Sequence, residues 1–207
     1  MGLPEFYDGL FDRAAGKGSF AFNGWGSRRS QFRRYEVVRD DCGIASGDSV
    51  LDWGCGTGDL YWYLHDHGLD VSYTGVDVVP EMIRLAKENK VPNAKLHSVL
   101  DYPFPRKTYD HVICIGTVGA MKEPQAERWF VVKRMLEVGL LMARKSMAIT
   151  FLTDRDGAKD DDGFHWHQDF SLAMMRVGTT VPKECGVIVR ADYHPHDMTV
   201  IIKHNSY

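Results

Sequence analysis

The 207-residue sequence predicts an α/β protein built on a mostly parallel sheet of seven strands, the last one antiparallel, with helices on both faces. Three observations carry that expectation. Short runs rich in Val, Ile and Leu alternate with longer helical stretches. A turn bearing Gly54, Gly56 and Gly58 joins the first such run to a helix. The last two strand-like runs are separated by so few residues that they should form an antiparallel hairpin.

In chain order, residues 28–42 come first and read as a helix. Arg28, Gln31, Phe32, Tyr35, Val38 and Cys42 fall on one of its faces. Two polar residues therefore interrupt an apolar stripe at its N-terminal end, and either they fray into solvent or they point at a bound polar ligand. Residues 50–53 read as a buried strand, 58–67 as a helix stopped at Gly68, and 71–77 as a second strand. Pro80 suits a helix's first turn and opens a helix to about residue 90. Residues 94–100 and 109–115 give the third and fourth strands. A long helix over 125–144 carries Trp129, Val132, Met135 and Leu136 on one side, and a fifth strand spans 147–152. The stretch 153–163 is acidic and glycine-punctuated, a loop. A short helix over 167–177 and strands at 186–193 and 198–203 complete the chain, with no internal repeat.

Composition narrows the function. With 44% hydrophobic and 26% charged residues there is ample core material, which excludes disorder and collagen-like repetition. The net charge is −3, from 25 basic and 28 acidic residues, so no surplus of Lys and Arg is available to neutralise phosphates, and nucleic acid is disfavoured as the partner. Cys42, Cys55, Cys114 and Cys185 form no CxxC pair, fit neither a disulfide framework nor a zinc site, and suit a reducing compartment. The first residues lack a charged leader followed by an apolar stretch, and Phe6 stands where a myristoylation motif needs Ser or Thr. The apolar run at 138–143 is far too short to span a bilayer. A cytoplasmic protein with no membrane association is the expectation.

The stretch Val50-Leu51-Asp52-Trp53-Gly54-Cys55-Gly56-Thr57-Gly58-Asp59 is the most informative. Glycines let the backbone turn sharply and come close to a ligand, and the helix that follows offers free N–H groups. A dinucleotide fingerprint needs glycine where Asp59 stands, and a carboxylate there repels a pyrophosphate. No Gly-Lys-Ser/Thr follows, which excludes a phosphate loop.

Asp52-x-Gly54-x-Gly56-x-Gly58 resembles the first motif of the class I S-adenosylmethionine-dependent methyltransferases, whose sheet is Rossmann-like. Tyr73-Thr74-Gly75-Val76-Asp77, Leu100-Asp101 and Tyr109-Asp110-His111-Val112-Ile113 follow in the family's order. The likeness covers about residues 47–152 and extends more weakly to both ends. It implies that Gly54, Cys55, Gly56 and Gly58 lie along the methionine and ribose portion, and that Asp52 fixes the loop or meets the amino group through water. It further implies that Asp77 holds the ribose, with Val78 and Met82 near the adenine. Leu100 and Asp101 would flank the adenine, and Gly116 and Thr117 the methionine moiety. Asn23-Gly24-Trp25-Gly26-Ser27 with Gln31 resembles a segment of some small bacterial members. There Trp25 covers the cofactor and Ser27, Arg28 or Gln31 meets its carboxylate, although Trp25 equally suits a core aromatic. The chain then divides as one domain: a helical cap over 1–46, a cofactor-binding core over 47–152, and an acceptor-side loop, helix and hairpin over 153–207.

Ligands of open α/β sheets bind beyond the carboxyl ends of the parallel strands. The loops there bring His165 and His167 onto one rim with His194 and His196, and Tyr193-His194-Pro195-His196-Asp197-Met198 resembles the last hairpin of the same relatives. Three readings stand for these histidines: a solvated polar rim, a general base, or a metal site. The solvated rim carries the most weight and the metal the least, and the mechanism expected, with no metal, lets His196 or His167 take the acceptor's proton. Phe164 and Trp166 suit either a lid or ordinary packing. Gly116-Thr117-Val118-Gly119 is not the Asn/Asp-Pro-Pro-Tyr/Phe that the family uses on adenine or glutamine nitrogen, and no Pro-Cys nucleophile is present. Arg28, Arg29, Arg33 and Arg34 spread around a helix axis, which favours a solvated surface over a nucleic-acid stripe. The expectation is methyl transfer to a small molecule. The alternatives are cyclisation of the cofactor's aminobutyryl chain and cofactor binding without catalysis.

Overall fold

The computed structural model describes residues 16, 18–98, 105–120, 125–154 and 167–205. Within them the helices are α1 (Ser19–Phe22), α2 (Arg28–Cys42), α3 (Asp59–Asp66), α4 (Pro80–Glu88), α5 (Gln125–Met142) and α6 (Phe170–Thr180). The strands are β1 (Ser49–Trp53), β2 (Ser72–Asp77), β3 (Ala94–Leu96), β4 (Tyr109–Cys114), β5 (Ala143–Thr153), β6 (His167–Gln168), β7 (Cys185–Arg190) and β8 (Asp197–His204). A 3₁₀ turn, Val118–Ala120, follows β4.

The sheet runs β3-β2-β1-β4-β5-β8-β7, and the two-residue β6 pairs off this path with the end of β5. Strands β3, β2, β1, β4 and β5 are mutually parallel, while β8 is antiparallel to both β5 and β7. The seven-stranded sheet with its antiparallel last strand is thus the observed architecture, with β6 as an addition.

Alternation along the strands assigns the two faces. Leu51, Trp53, Val112, Cys114, Met147, Ile149 and Phe151 join Val132, Met135 and Leu136 of α5 and Ala173 and Val177 of α6 in one core. Val50, Ile113, Ala148 and Ile201 join Tyr35 and Val38 of α2, Leu60 and Leu64 of α3, and Ile83 and Ala86 of α4 in the other. Each fully buried Leu, Ile or Phe in these layers contributes about 1.5–3 kcal/mol, and this double burial is why the strands read as near-continuous apolar runs.

Three expectations are corrected. The long helix ends at Met142, not at residue 144, and β5 begins at once with Ala143. Ala143 pairs with Tyr109 of β4 and Ser146 with His111, and between them Arg144 and Lys145 form ion pairs to Asp110 and Asp48. Residues 167–177 do not form one helix. His167 and Gln168 extend the sheet, and α6 starts only after Asp169, whose carboxylate accepts from the Leu172 N–H at 2.7 Å as an N-cap. Arg34 is not a solvated surface residue, for it is 4% exposed.

Candidate active site

The carboxyl ends of β1, β2 and β4 converge on the glycine loop. The N–H groups of Gly54 and Cys55 both donate to the Val76 carbonyl, at 2.8 and 3.0 Å, which ties the loop to β2. The Asp77 carboxylate at the end of β2 accepts from Gly56 N–H and from Val79 N–H, each at 2.9 Å. Burial nevertheless holds its pKa above the ordinary carboxylate range. Asp52, 4% exposed, accepts a 2.6 Å hydrogen bond from the Tyr73 hydroxyl. Its pKa rises to about 7 because burial outweighs that bond, and the nearby Asp77 and Asp59 charges push the same way. Cys55 is buried, and its thiol is pushed far up by desolvation. Thr117, following β4, donates its hydroxyl to the Trp53 carbonyl at 3.1 Å and lies against Gly54. Gly58 precedes α3 and abuts Val91. Met82 is buried in α4, and Val78 is half-exposed just after Asp77.

The N-terminal segment closes on this loop through a polar network. Asn23 Oδ1 accepts the Thr57 N–H at 3.1 Å, and Asn23 Nδ2 donates to Thr57 Oγ1 at 2.8 Å and to Asp59 Oδ2 at 3.1 Å. Gln31 Nε2 donates to the same Asp59 oxygen at 2.8 Å and to the Tyr35 hydroxyl at 3.0 Å. Gln31 is wholly buried, so it does not fray into solvent. A Cβ on Gly56 would stand 2.0 Å from Asn23 Oδ1, and one on Gly116 would stand 2.6 Å from the Trp25 ring, so the cap approaches both glycines at distances only a hydrogen permits. Trp25 packs partly on the core beneath α2, with the Arg34 guanidinium 4.5 Å from its ring centroid. Ser27 caps α2 by accepting the Ser30 N–H at 3.1 Å, and Arg28 is exposed and donates to Ser19.

Farther along the sheet, His194 and His196 stand with ring centroids 5.4 Å apart in the β7–β8 connection. His196 N–H donates to His194 Nδ1 at 3.3 Å, and the His196 carbonyl accepts the Thr153 N–H at 2.7 Å. The backbone of His167 pairs with Leu152 at the carboxyl end of β5, so both candidate bases lie at that end of the sheet. Leu100, Asp101, Phe164, His165 and Trp166 lie outside the described residues.

Residues 50–139 match the family model described as a methyltransferase domain. A Mycobacterium tuberculosis protein named as a methyltransferase is 24% identical over 160 residues, covering 75% of this chain and 92% of its own. A Papaver bracteatum protein named as a tetrahydroprotoberberine N-methyltransferase is 27% identical over 176 residues, and the chain spans 46% of its length. Among solved structures, the magnesium protoporphyrin IX methyltransferase of Synechocystis PCC 6803 with bound S-adenosylmethionine superposes with a TM-score of 0.64 at 15% identity, covering 98% of this chain and 95% of that one. Residues 50–139 are thus a methyltransferase domain, and the chain has the fold of the class I S-adenosylmethionine-dependent methyltransferases. The fold alone is also shared with the small RNA methyltransferase HEN1 (TM-score 0.63, 15% identity, 86% of this chain and 25% of that one). The same holds for the [4+2]-cyclase SpnF (TM-score 0.66, 13% identity, 99% and 96%).

The residues present fit S-adenosylmethionine: the glycine loop is bound to β2, Asp77 stands at the end of that strand, and the buried Asp52 lies just before the loop. Sequence reasoning missed Asn23 and Asp59 as partners. Asp59 was legible only as a bar to pyrophosphate, although the Asn-Gly dipeptide at 23–24 marked a turn that delivers an amide side chain. No described helix is long and apolar enough to cross a membrane.

Proposed function

We propose that the enzyme transfers the methyl group of S-adenosylmethionine in line to a nucleophilic atom of a small molecule. The observation that carries the acceptor class is the state of the α2 arginines. Arg34 is buried against Asp197, Arg33 pairs with Glu36 at 2.6 Å, and Arg28 turns back on Ser19. Arg28 and the exposed Arg29 are left without a carboxylate partner among the described residues, and two cations on one helix are few to track a phosphate backbone.

Asp52, Gly54, Cys55, Gly56, Gly58, Gly116 and Thr117 would hold the methionine and ribose portion, Asp77 the ribose hydroxyls, and Val78, Met82, Leu100 and Asp101 the adenine. Trp25 would cover the bound cofactor, with Ser27 and Gln31 on the carboxylate side. Bound there, the cofactor supplies an electrophilic methyl group on a sulfonium. The chain's part is to hold the acceptor in line and exclude water, and orientation of this kind supplies up to about 7–11 kcal/mol. His196 or His167 would take the acceptor's proton. The soluble cell interior is the compartment this chemistry and the reduced cysteines favour.

The second reading is displacement within the cofactor that cyclises its aminobutyryl chain. The [4+2]-cyclase on the same fold shows only that the fold is also found in a protein named for chemistry other than methyl transfer. The purified protein incubated with methyl-labelled cofactor and a size-fractionated cell extract separates the readings. Label in the small-molecule fraction together with S-adenosylhomocysteine supports the first. Label in macromolecules overturns the acceptor class. Labelled methylthioadenosine as the product establishes cyclisation, and tight binding without turnover on any fraction establishes a non-catalytic binder.

A further inference from the structure

Arg34 is a charged residue in the interior, and its guanidinium meets three segments at once. Nη1 donates to the Ser30 carbonyl at 2.8 Å and to Ser30 Oγ at 2.5 Å, within its own helix. Nη2 pairs with the Asp197 carboxylate, whose side chain is 0% exposed. The guanidinium lies over the Trp25 ring at 4.5 Å. Trp25 in turn stands against Gly116, just past the carboxyl end of β4. Asp197 opens β8 opposite Leu152 of β5, and His194 Nδ1 lies 3.3 Å from its Oδ2. One side chain therefore joins the cap over the glycine loop to the hairpin on the acceptor side.

A buried ion pair of this kind gains little stability over well-packed apolar residues, because both charges lose their hydration. What it supplies is direction. A planar guanidinium stacks on an indole face while its edge grips a carboxylate, and an ammonium group cannot do both.

We propose that Arg34 is a positioning residue for the bound cofactor: stacked on Trp25 and pinned by Asp197, it fixes the indole at the end of β4 and ties that placement to the acceptor-side hairpin. The inference rests on the reading of Trp25 as the cofactor's cover. Binding of S-adenosylhomocysteine to the full chain, measured by calorimetry, tests it. Trp25 emission, isolated by difference from a Trp25→Phe variant, and the melting temperature are read alongside.

Arg34→Lys keeps the charge and loses the plane. It is expected to bind S-adenosylhomocysteine about tenfold more weakly, with Trp25 emission moved to longer wavelength and the melting temperature nearly unchanged. The double variant Arg34→Met with Asp197→Leu, which replaces the pair by apolar packing, is expected to fold and to bind as weakly. A folded Arg34→Lys or double variant with wild-type affinity and unshifted emission overturns the proposal, leaving the pair a purely structural one. Trp25→Ala separates the two levels of the argument. If it binds weakly while Arg34→Lys binds normally, only the role of Arg34 falls. If it binds normally, the cover reading falls and the proposal with it.

Discussion

Gln31 Nε2 donates a buried 2.8 Å hydrogen bond to Asp59 Oδ2, joining the helical cap to the first turn of α3. The carboxylate that closes the glycine loop to dinucleotides is thus the anchor on which the cap is built. Replacing Gln31 with Leu removes a donor from a buried carboxylate and from the Tyr35 hydroxyl. The expected loss is about 1.5–3 kcal/mol in urea unfolding, with weaker S-adenosylhomocysteine binding. A loss under about 0.5 kcal/mol would mean that Asn23 and Thr57 alone satisfy Asp59.

Gly116→Ala tests the close approach of Trp25. The backbone there has φ +81°, and the added methyl would stand 2.6 Å from the indole. Strain and displacement together should lower stability by about 1–3 kcal/mol and shift Trp25 emission. Gly26→Ala is the control, since nothing lies within 4 Å of a Cβ there and its φ is not in the left-handed region. It should leave both readouts unchanged.

Asp52 predicts how cofactor affinity follows pH. Its carboxyl titrates at about 7, far above the ordinary 3.8, so much of it is protonated in the free protein near neutrality. A cationic ligand at the loop favours the ionised form, so binding should release protons below about pH 7 and tighten as pH rises through that value. Calorimetry in buffers of different ionisation enthalpy measures the release, and Asp52→Asn should abolish it. In the unliganded protein the sign is opposite. The raised pKa contributes stability present below about 3.8 and lost as pH rises toward about 7.

His111 titrates the other way. It is wholly buried at the amino-terminal side of the sheet, with Nδ1 2.8 Å from Ser146 Oγ and Nε2 3.0 Å from Asp48 Oδ2. Burial lowers its pKa below the ordinary 6.5, although Asp48 opposes the shift. The unfolded chain therefore binds more protons just below 6.5, and stability is lost as pH falls from 6.5 toward the lowered value. Urea midpoints measured from about pH 7.5 to about pH 5 should fall, and a His111→Gln variant should fall less steeply. Parallel curves for the two proteins would assign the pH dependence to other groups.

Much of this architecture was legible in the residues. Runs such as Val112-Ile113-Cys114 are apolar on both faces because α5 and α6 cover one side and α2, α3 and α4 the other, and that double burial is what makes a parallel sheet recognisable. The helix read over 28–42 has the bounds of α2, which the structure closes with the Ser27 cap and with Gly43 in the left-handed conformation. The start of β5 was not legible. Local propensity carries a helix through Ala143 and Arg144, and only pairing with β4, distant in the chain, makes this stretch strand. Nor was the start of α6, where a two-residue pairing with β5 takes His167 and Gln168 first.

The candidate site divides along the same line. The glycine spacing, the acid ending β2 and the terminal hairpin follow from the sequence alone, because turns, caps and strand alternation are set by neighbours in the chain. The fates of Gln31 and Arg34 were decided only in three dimensions. Helical spacing put Gln31 on the apolar face without saying what it would meet, and nothing local distinguishes Arg34 from the exposed Arg29 and Arg33. Asp59 and Asp197, which lie far away along the chain, reach Gln31 and Arg34 once the sheet is assembled. A buried polar group is stable only when its partner is brought to it, and bringing it is the work of tertiary structure.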